Sequence, residues 1–356
     1  MEYVPISCNQ SRCLTLLKGV AIFLVILIHS DTRAAMNVEA YSLIDVYLYA
    51  ITREIAFDAV PLFFFISGYL FFLKEESFAI KWKKRLRSIV LPYFIWCIIA
   101  FLIPFMIQNV FGLSSLYQGR MKLISEFEPL DYLRMFWNIR DGGPILSTLW
   151  FLKSLMVLVA FTPIIALLIR YMGVFFPILL FLNYVFFKLS FLNFLYIGSG
   201  NLFFFGLGCW LSKKYSGAGL LYLDRMKIPW IACCWLVSFF CVVYFYATGS
   251  FDSRIHDLFM IVDCLFMYKI VQFLSRKYEL KFLIKLSQAS FFIYLFHEPW
   301  MGYAVKLFFK FFRLEGFLAY IFPWVLCLTT IMCSYVVYLG LKRFVPRLLS
   351  VAVGSR

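Results

Sequence analysis

The chain alternates long apolar runs with short polar connections, and the runs are of membrane-spanning length rather than amphipathic stripes. The pattern predicts about ten helices. The first covers about Leu14 to Ser30 and is followed by a polar-aromatic connection over 31–54. The second covers about Ile55 to Leu73 and the third about Ile89 to Phe111. Helices four to six are expected at 149–169, 173–189 and 194–212, and seven to ten at 228–247, 256–274, 286–308 and 317–341. The expected fold is therefore an all-α polytopic membrane helix bundle, read as one domain over residues 1–356. No internal repeat points to a two-halved transporter.

Composition agrees. Of 356 residues 63% are hydrophobic and only 15% charged, too little polar surface for a soluble protein of this size. The formal charge of +15 changes the picture less than its size suggests. The basic residues cluster in short loops, which is a topology signal and not a nucleic-acid footprint. Lys74, Lys81, Lys83, Lys84, Arg85 and Arg87 follow the second helix, and Lys213, Lys214, Arg225 and Lys227 follow the sixth. Arg276, Lys277, Lys281 and Lys285 follow the eighth, and Lys342, Arg343 and Arg347 follow the tenth. All of these fall on one side, so both termini are expected in the cytoplasm. Most of the ten cysteines lie in apolar runs and read as small, reduced core residues.

Against this apolar background a few polar groups stand out. Lys18 and His29 bracket the first helix. Eleven residues make about three turns, so the two share a face, about 16 Å apart along the axis. That is roughly half the bilayer core, and an ionisable group there is a functional candidate by default. Imidazole can act as a general base or as a nucleophile that briefly carries an acyl group, and both roles stay open for His29. Asp58, in the outer part of the second helix, is a candidate to orient it. His297 and Glu298 precede Pro299, which predicts a broken or kinked ninth helix. Ser67-Gly68 allows close approach of a ligand or of another helix. Asp263 falls mid-helix, where an unpaired carboxylate is expensive. The basic run through Lys84, Arg85 and Arg87 either fixes topology or docks a phosphorylated cytoplasmic ligand. Trp150, Tyr294 and His297 are accessory candidates. The spacings contain no metal-ligand set, Walker motif or dinucleotide glycine motif.

These residues together resemble the acyltransferase-3 family of bacterial membrane acyltransferases, which modify surface polysaccharides and related glycans. The resemblance rests on Lys18-Gly19-Val20-Ala21 followed by His29, and on Leu62 to Tyr69 (Leu-Phe-Phe-Phe-Ile-Ser-Gly-Tyr). It rests further on the basic run leading to Leu91-Pro92-Tyr93 and Trp96, on Leu149-Trp150-Phe151-Leu152, and on Ser290 to Tyr294 with His297. The family's arginine before the histidine is Lys18 here, as in the branch resembling single-component O-acetyltransferases. Its Arg-x-x-Arg pair is matched by Lys84 and Arg87, and the aspartate some relatives carry before the Phe-Phe of the second helix is Pro61. The SGNH hydrolase-like domain that some relatives append is not expected.

The resemblance implies acetyl-CoA or another acyl-CoA as donor, no metal, and a hydroxyl on a glycan or lipid-linked glycan as acceptor. It implies a multi-pass protein of the bacterial inner membrane. The donor phosphates are expected at Lys84, Arg85 and Arg87, with its arm passing Lys18, Ser67 and Gly68 towards His29. The rival from another class is a flippase or exporter of a lipid-linked glycan, without covalent chemistry.

Overall fold

The computed structural model describes residues 6–74, 76–110, 112, 122–138, 144–189, 197–216 and 218–354. Among these there are α-helices and short 3-10 and π turns and no strand. In chain order the helices are α1 (Cys8–His29), α2 (Arg33–Met36), α3 (Leu43–Tyr49), α4 (Ala59–Phe72), α5 (Phe78–Arg85), α6 (Leu91–Phe105), α7 (Pro129–Arg134) and α8 (Trp150–Ala160). Then come α9 (Thr162–Met172), α10 (Phe175–Leu182), α11 (Ser199–Lys214), α12 (Leu220–Arg225), α13 (Ile228–Ala247), α14 (Ser253–Lys277), α15 (Lys281–Phe311), α16 (Phe317–Phe344) and α17 (Pro346–Ala352). Among the described residues six stretches are long and apolar enough to cross a membrane: Cys8–Met36, Leu43–Phe72, Phe78–Val110, Ile228–Ala247, Ser253–Lys277 and Phe317–Phe344. The pair α8–α9, interrupted at Phe161, makes a seventh if taken as one span. Of the remaining expected spans, α10 and its π turn are short, α11 has 16 residues, and α15, with 31, carries lysines at both ends and Glu298 within.

Several boundaries differ from the sequence pattern for local reasons. Helix α1 starts six residues earlier than the apolar run because Ser7 and Gln10 form a capping box: Gln10 N–H donates to Ser7 Oγ at 3.2 Å and Ser7 N–H to Gln10 Oε1 at 3.0 Å. The basic segment expected as a loop is helical. Ser77 caps α5, and a π turn at Leu86–Val90 carries it into α6. Lys83, Lys84 and Arg85 occupy the last turn of α5 before that π turn. A second π turn, Ala50–Ile55, joins α3 towards α4 and turns part of the expected connection into helix. Of the expected break or kink at Pro299 there is no break: α15 runs as one helix past it, and a membrane helix tolerates one lost amide donor.

The chain forms two compact units. The larger comprises residues 1–76, 161–189 and 199–339. Helix α1 is its centre, buried on nearly every face against α4, α14 and α15, as an all-apolar helix requires. Glycines set its closest contacts. A Cβ on Gly19 would lie 2.5 Å from the Leu283 carbonyl oxygen of α15. Helices α4 and α11 interlock through Gly68 and Gly208, where a Cβ would lie 2.2 Å from the carbonyl oxygens of Phe205 and Phe65 respectively. The smaller unit comprises residues 77–160, 190–198 and 340–356. There Trp96 Nε1 donates to the Ala352 carbonyl at 3.1 Å, tying α17 to α6, and Trp82 Nε1 donates to the Val159 carbonyl at 3.1 Å.

Candidate active site

Helices α1 and α15 run parallel. Gly19 packs on Leu283 and Ser287, and ten residues on from Gly19 and from Ser287 stand His29 and His297. The register therefore delivers two imidazoles to one point. Their ring centroids are 4.9 Å apart with the planes at 62°, an edge-to-face contact. His29, the last residue of α1, is exposed, whereas His297 is buried. His297 Nδ1 lies 3.0 Å from the Ile293 carbonyl oxygen of its own helix, an acceptor only, so the proton is assigned to Nδ1. Its Nε2 then carries a lone pair and has no hydrogen-bond partner. A buried, unpartnered acceptor beside an accessible imidazole suits a site that handles a proton. Tyr294 is buried one turn before His297, and Glu298 is half-buried next to it. Lys18 is half-buried on α1, about three turns from His29 on the same side, because the helix between them is unbroken.

Asp58 does not orient His29. Both of its carboxyl oxygens are buried with no hydrogen-bond partner, and its backbone carbonyl accepts from Cys264 Sγ of α14 at 3.9 Å. The side chain standing against His29 is an imidazole instead. Asp263 is fully buried; Oδ1 accepts from Trp235 Nε1 at 2.6 Å and Oδ2 has no partner. Ser67 is half-buried, and the face of Gly68 is filled by α11, so of the two readings of Ser67-Gly68 the geometry at Gly68 is that of helix packing.

Just beyond His29 is a network whose members the sequence left scattered. Arg33 reaches Asp31 through Nε and Nη2 at 3.0 and 2.8 Å, and Asp45 and Tyr246 through Nη1 at 3.1 and 3.0 Å. Arg53 Nε donates to Asp31 at 3.1 Å. Fully buried Glu54 accepts from the Tyr49 hydroxyl, and His256 Nδ1 lies 2.9 Å from it. The π turn at Ala50–Ile55 displaces the helix register, and it is this stretch that carries Arg53 and Glu54. These ions come from stretches more than two hundred residues apart, which no local pattern could join.

In the smaller unit Lys84 and Arg87 are exposed and Arg85 half-buried along the helical basic segment. Trp150 opens α8 and is half-buried. Three residues on, Lys153 is fully buried, its ammonium 4.1 Å from the centre of the Trp137 ring. The sequence did carry a signal for it: a lone cation inside an apolar helix. Among the described residues no three His, Cys, Asp or Glu side chains gather as metal ligands.

Comparison with known proteins is consistent with this geometry. The chain is similar to the succinoglycan biosynthesis protein ExoH of Rhizobium meliloti (strain 1021), with 26% identity over 306 residues, covering 83% of this chain and 79% of that protein. No solved structure matches significantly. A model of the acyltransferase domain termed Acyl_transf_3 matches residues 12–339, spanning the helix with Lys18 and His29 and the helix with His297. With that match over nearly its whole length, the chain belongs to the acyltransferase-3 family and is a multi-pass membrane acyltransferase.

Proposed function

We propose that this enzyme moves an acyl group, acetyl in the first instance, from acyl-CoA to a hydroxyl of a surface or lipid-linked glycan. His29 is its catalytic residue. The observation that carries the reading is the His29–His297 pair, an accessible imidazole backed by a buried one whose Nε2 is unpartnered. The similar protein from Rhizobium meliloti, named for the biosynthesis of a glycan, supports the acceptor class. Membership of an enzyme family favours chemistry over passage of an unchanged glycan.

The reaction needs three things of the chain. The acceptor hydroxyl must lose its proton as its oxygen attacks the thioester carbonyl; a neutral imidazole at His29 takes that proton. The carbon–sulfur bond then breaks, and the imidazolium returns the proton to the departing thiolate. In the alternative order the ring nitrogen attacks the thioester carbonyl first, the carbon–sulfur bond breaks and the thiolate leaves with the ring proton; the acyl-imidazole then yields its acyl group to the hydroxyl, whose proton returns to the ring. Donor phosphates need cations, and Lys84, Arg85 and Arg87 supply charge-assisted hydrogen bonds to them. Lys18 lies on the route of the donor arm towards His29. The basic face is cytoplasmic and His29 faces the outer side of a bacterial inner membrane, so the acyl group crosses within the protein.

The test is His29→Ala at unchanged membrane abundance, read by mass spectrometry of cell-surface glycans. Loss of the acyl mass is expected, and its retention removes His29 from the mechanism. Incubation with donor alone, followed by intact-protein mass spectrometry, separates the two orders: an acylated enzyme identifies the covalent one.

A further inference from the structure

The network beyond His29 borders an open cavity of about 420 Å³, inside the range of roughly 300–1,000 Å³ typical of small-molecule sites. Its walls have an ordered chemistry. Arg33, Arg53 and His256 line it, while the carboxylates of Asp31, Asp45 and Glu54 to which they bond are not among the lining residues. The cavity therefore meets two guanidinium groups and an imidazole, each already bonded to an acid set behind it. The other lining residues are aromatic. Tyr49 stacks on Tyr246 with centroids 3.5 Å apart and planes parallel, Phe251 stands edge-on to Tyr49 at 6.3 Å, and Phe57 flanks His256 at 6.0 Å.

The two arginines are not equivalent. Arg33 spends its donors on Asp31, Asp45 and Tyr246 and is only 18% exposed. Arg53 bonds Asp31 through Nε alone and is 46% exposed. Its guanidinium nitrogens beyond Nε make no hydrogen bond with the described residues. The site also adjoins the reacting group. Asp31, two residues after His29, anchors Arg53 directly beyond the end of α1.

We infer that this cavity is the acceptor subsite and that the glycan it takes is anionic, its carboxylate or phosphate held by Arg53 and its sugar face laid on the aromatic wall. The inference rests on the acyl-transfer reading of His29 and extends it to the substrate class. An aromatic floor alone suits any sugar. A partly exposed guanidinium with unspent donors adds what an aromatic floor lacks, paired charge-assisted hydrogen bonds to a carboxylate or phosphate.

The experiment measures binding, not turnover, so that it stands apart from the catalytic claim. His29→Ala protein in nanodiscs of zwitterionic lipid is titrated with hexagalacturonate, with maltohexaose, and with a glucosyl pyrophosphoryl polyprenol. Tighter binding of either charged glycan than of maltohexaose is expected, and which of the two binds distinguishes a sugar carboxylate from a lipid-linked phosphate. Raising the salt should weaken that binding, a readout that needs no second substitution. Adding Arg53→Gln should weaken it about tenfold to a hundredfold, and Arg53→Lys should restore most of it. Equal affinity for the neutral and charged glycans, or none for any, overturns the inference while leaving the role of His29 to its own test. Loss of charge preference in neither arginine variant overturns it as well.

Discussion

His29 and His297 do different work because their surroundings differ. The exposed ring can meet a substrate, and the buried one cannot leave its place, since its Nδ1 is held on the Ile293 carbonyl. In the proposed mechanism His297 is a positioning residue, its unpartnered Nε2 beside the His29 ring. His297→Gln should lower kcat by about 10²-fold with little change in donor KM, since proton handling contributes about that much or more. A structural role alone would lower the amount of folded enzyme and leave kcat per folded molecule intact; active-site titration separates the two.

The elements that bring these rings together are α1 and α15, and the contact that sets their register is Gly19 on Leu283. Gly19→Ala places a methyl carbon 2.5 Å from a carbonyl oxygen, closer than van der Waals contact allows, and backbone cannot swing aside as a side chain does. A destabilisation of about 1–3 kcal/mol is expected, seen as a lower thermal midpoint in detergent, with activity lost faster than fold. Gly302, on the same helix α15, has open space around its Cβ position, so Gly302→Ala is the control and should leave the midpoint unlowered. On α5 the basic turn makes a separate prediction. Changing Lys84 and Arg87 together to Gln should raise donor KM at least tenfold while kcat at saturating donor changes little. Unchanged donor KM would leave that turn with a topological role only.

For the whole molecule, the placement of charge predicts which end faces which compartment. A membrane-impermeant maleimide should label Ser250→Cys in intact cells and leave Lys84→Cys unlabelled until the membrane is opened. The unsubstituted chain is the control, because Cys8, Cys233, Cys234, Cys241 and Cys333 are exposed. Labelling of Lys84→Cys in intact cells would invert the proposed orientation and with it the side from which the donor arrives. Of the ten cysteines, expected as small core residues, only Cys13, Cys97, Cys209, Cys264 and Cys327 are buried.

How much could be read in advance divides along a physical line. Apolar runs separated by basic segments are enough to specify a helical membrane protein, since lipid leaves the backbone few other ways to satisfy itself. Helices α13 and α16 begin where the pattern placed them, and α13 also ends there. The family was legible in short motifs, and the shared face of Lys18 and His29 followed from helical period alone. Side-chain hydrogen bonds and packing at distance were not legible. Capping moved the start of α1, two π turns made helix of expected connections, and Gly68 proved to be a helix contact. The partner of His29 lies 268 residues away, and the cavity walls join α2, the π turn after α3, α13 and α14. Periodicity reports which way a residue faces on its own helix; only the packing of helices decides what it faces.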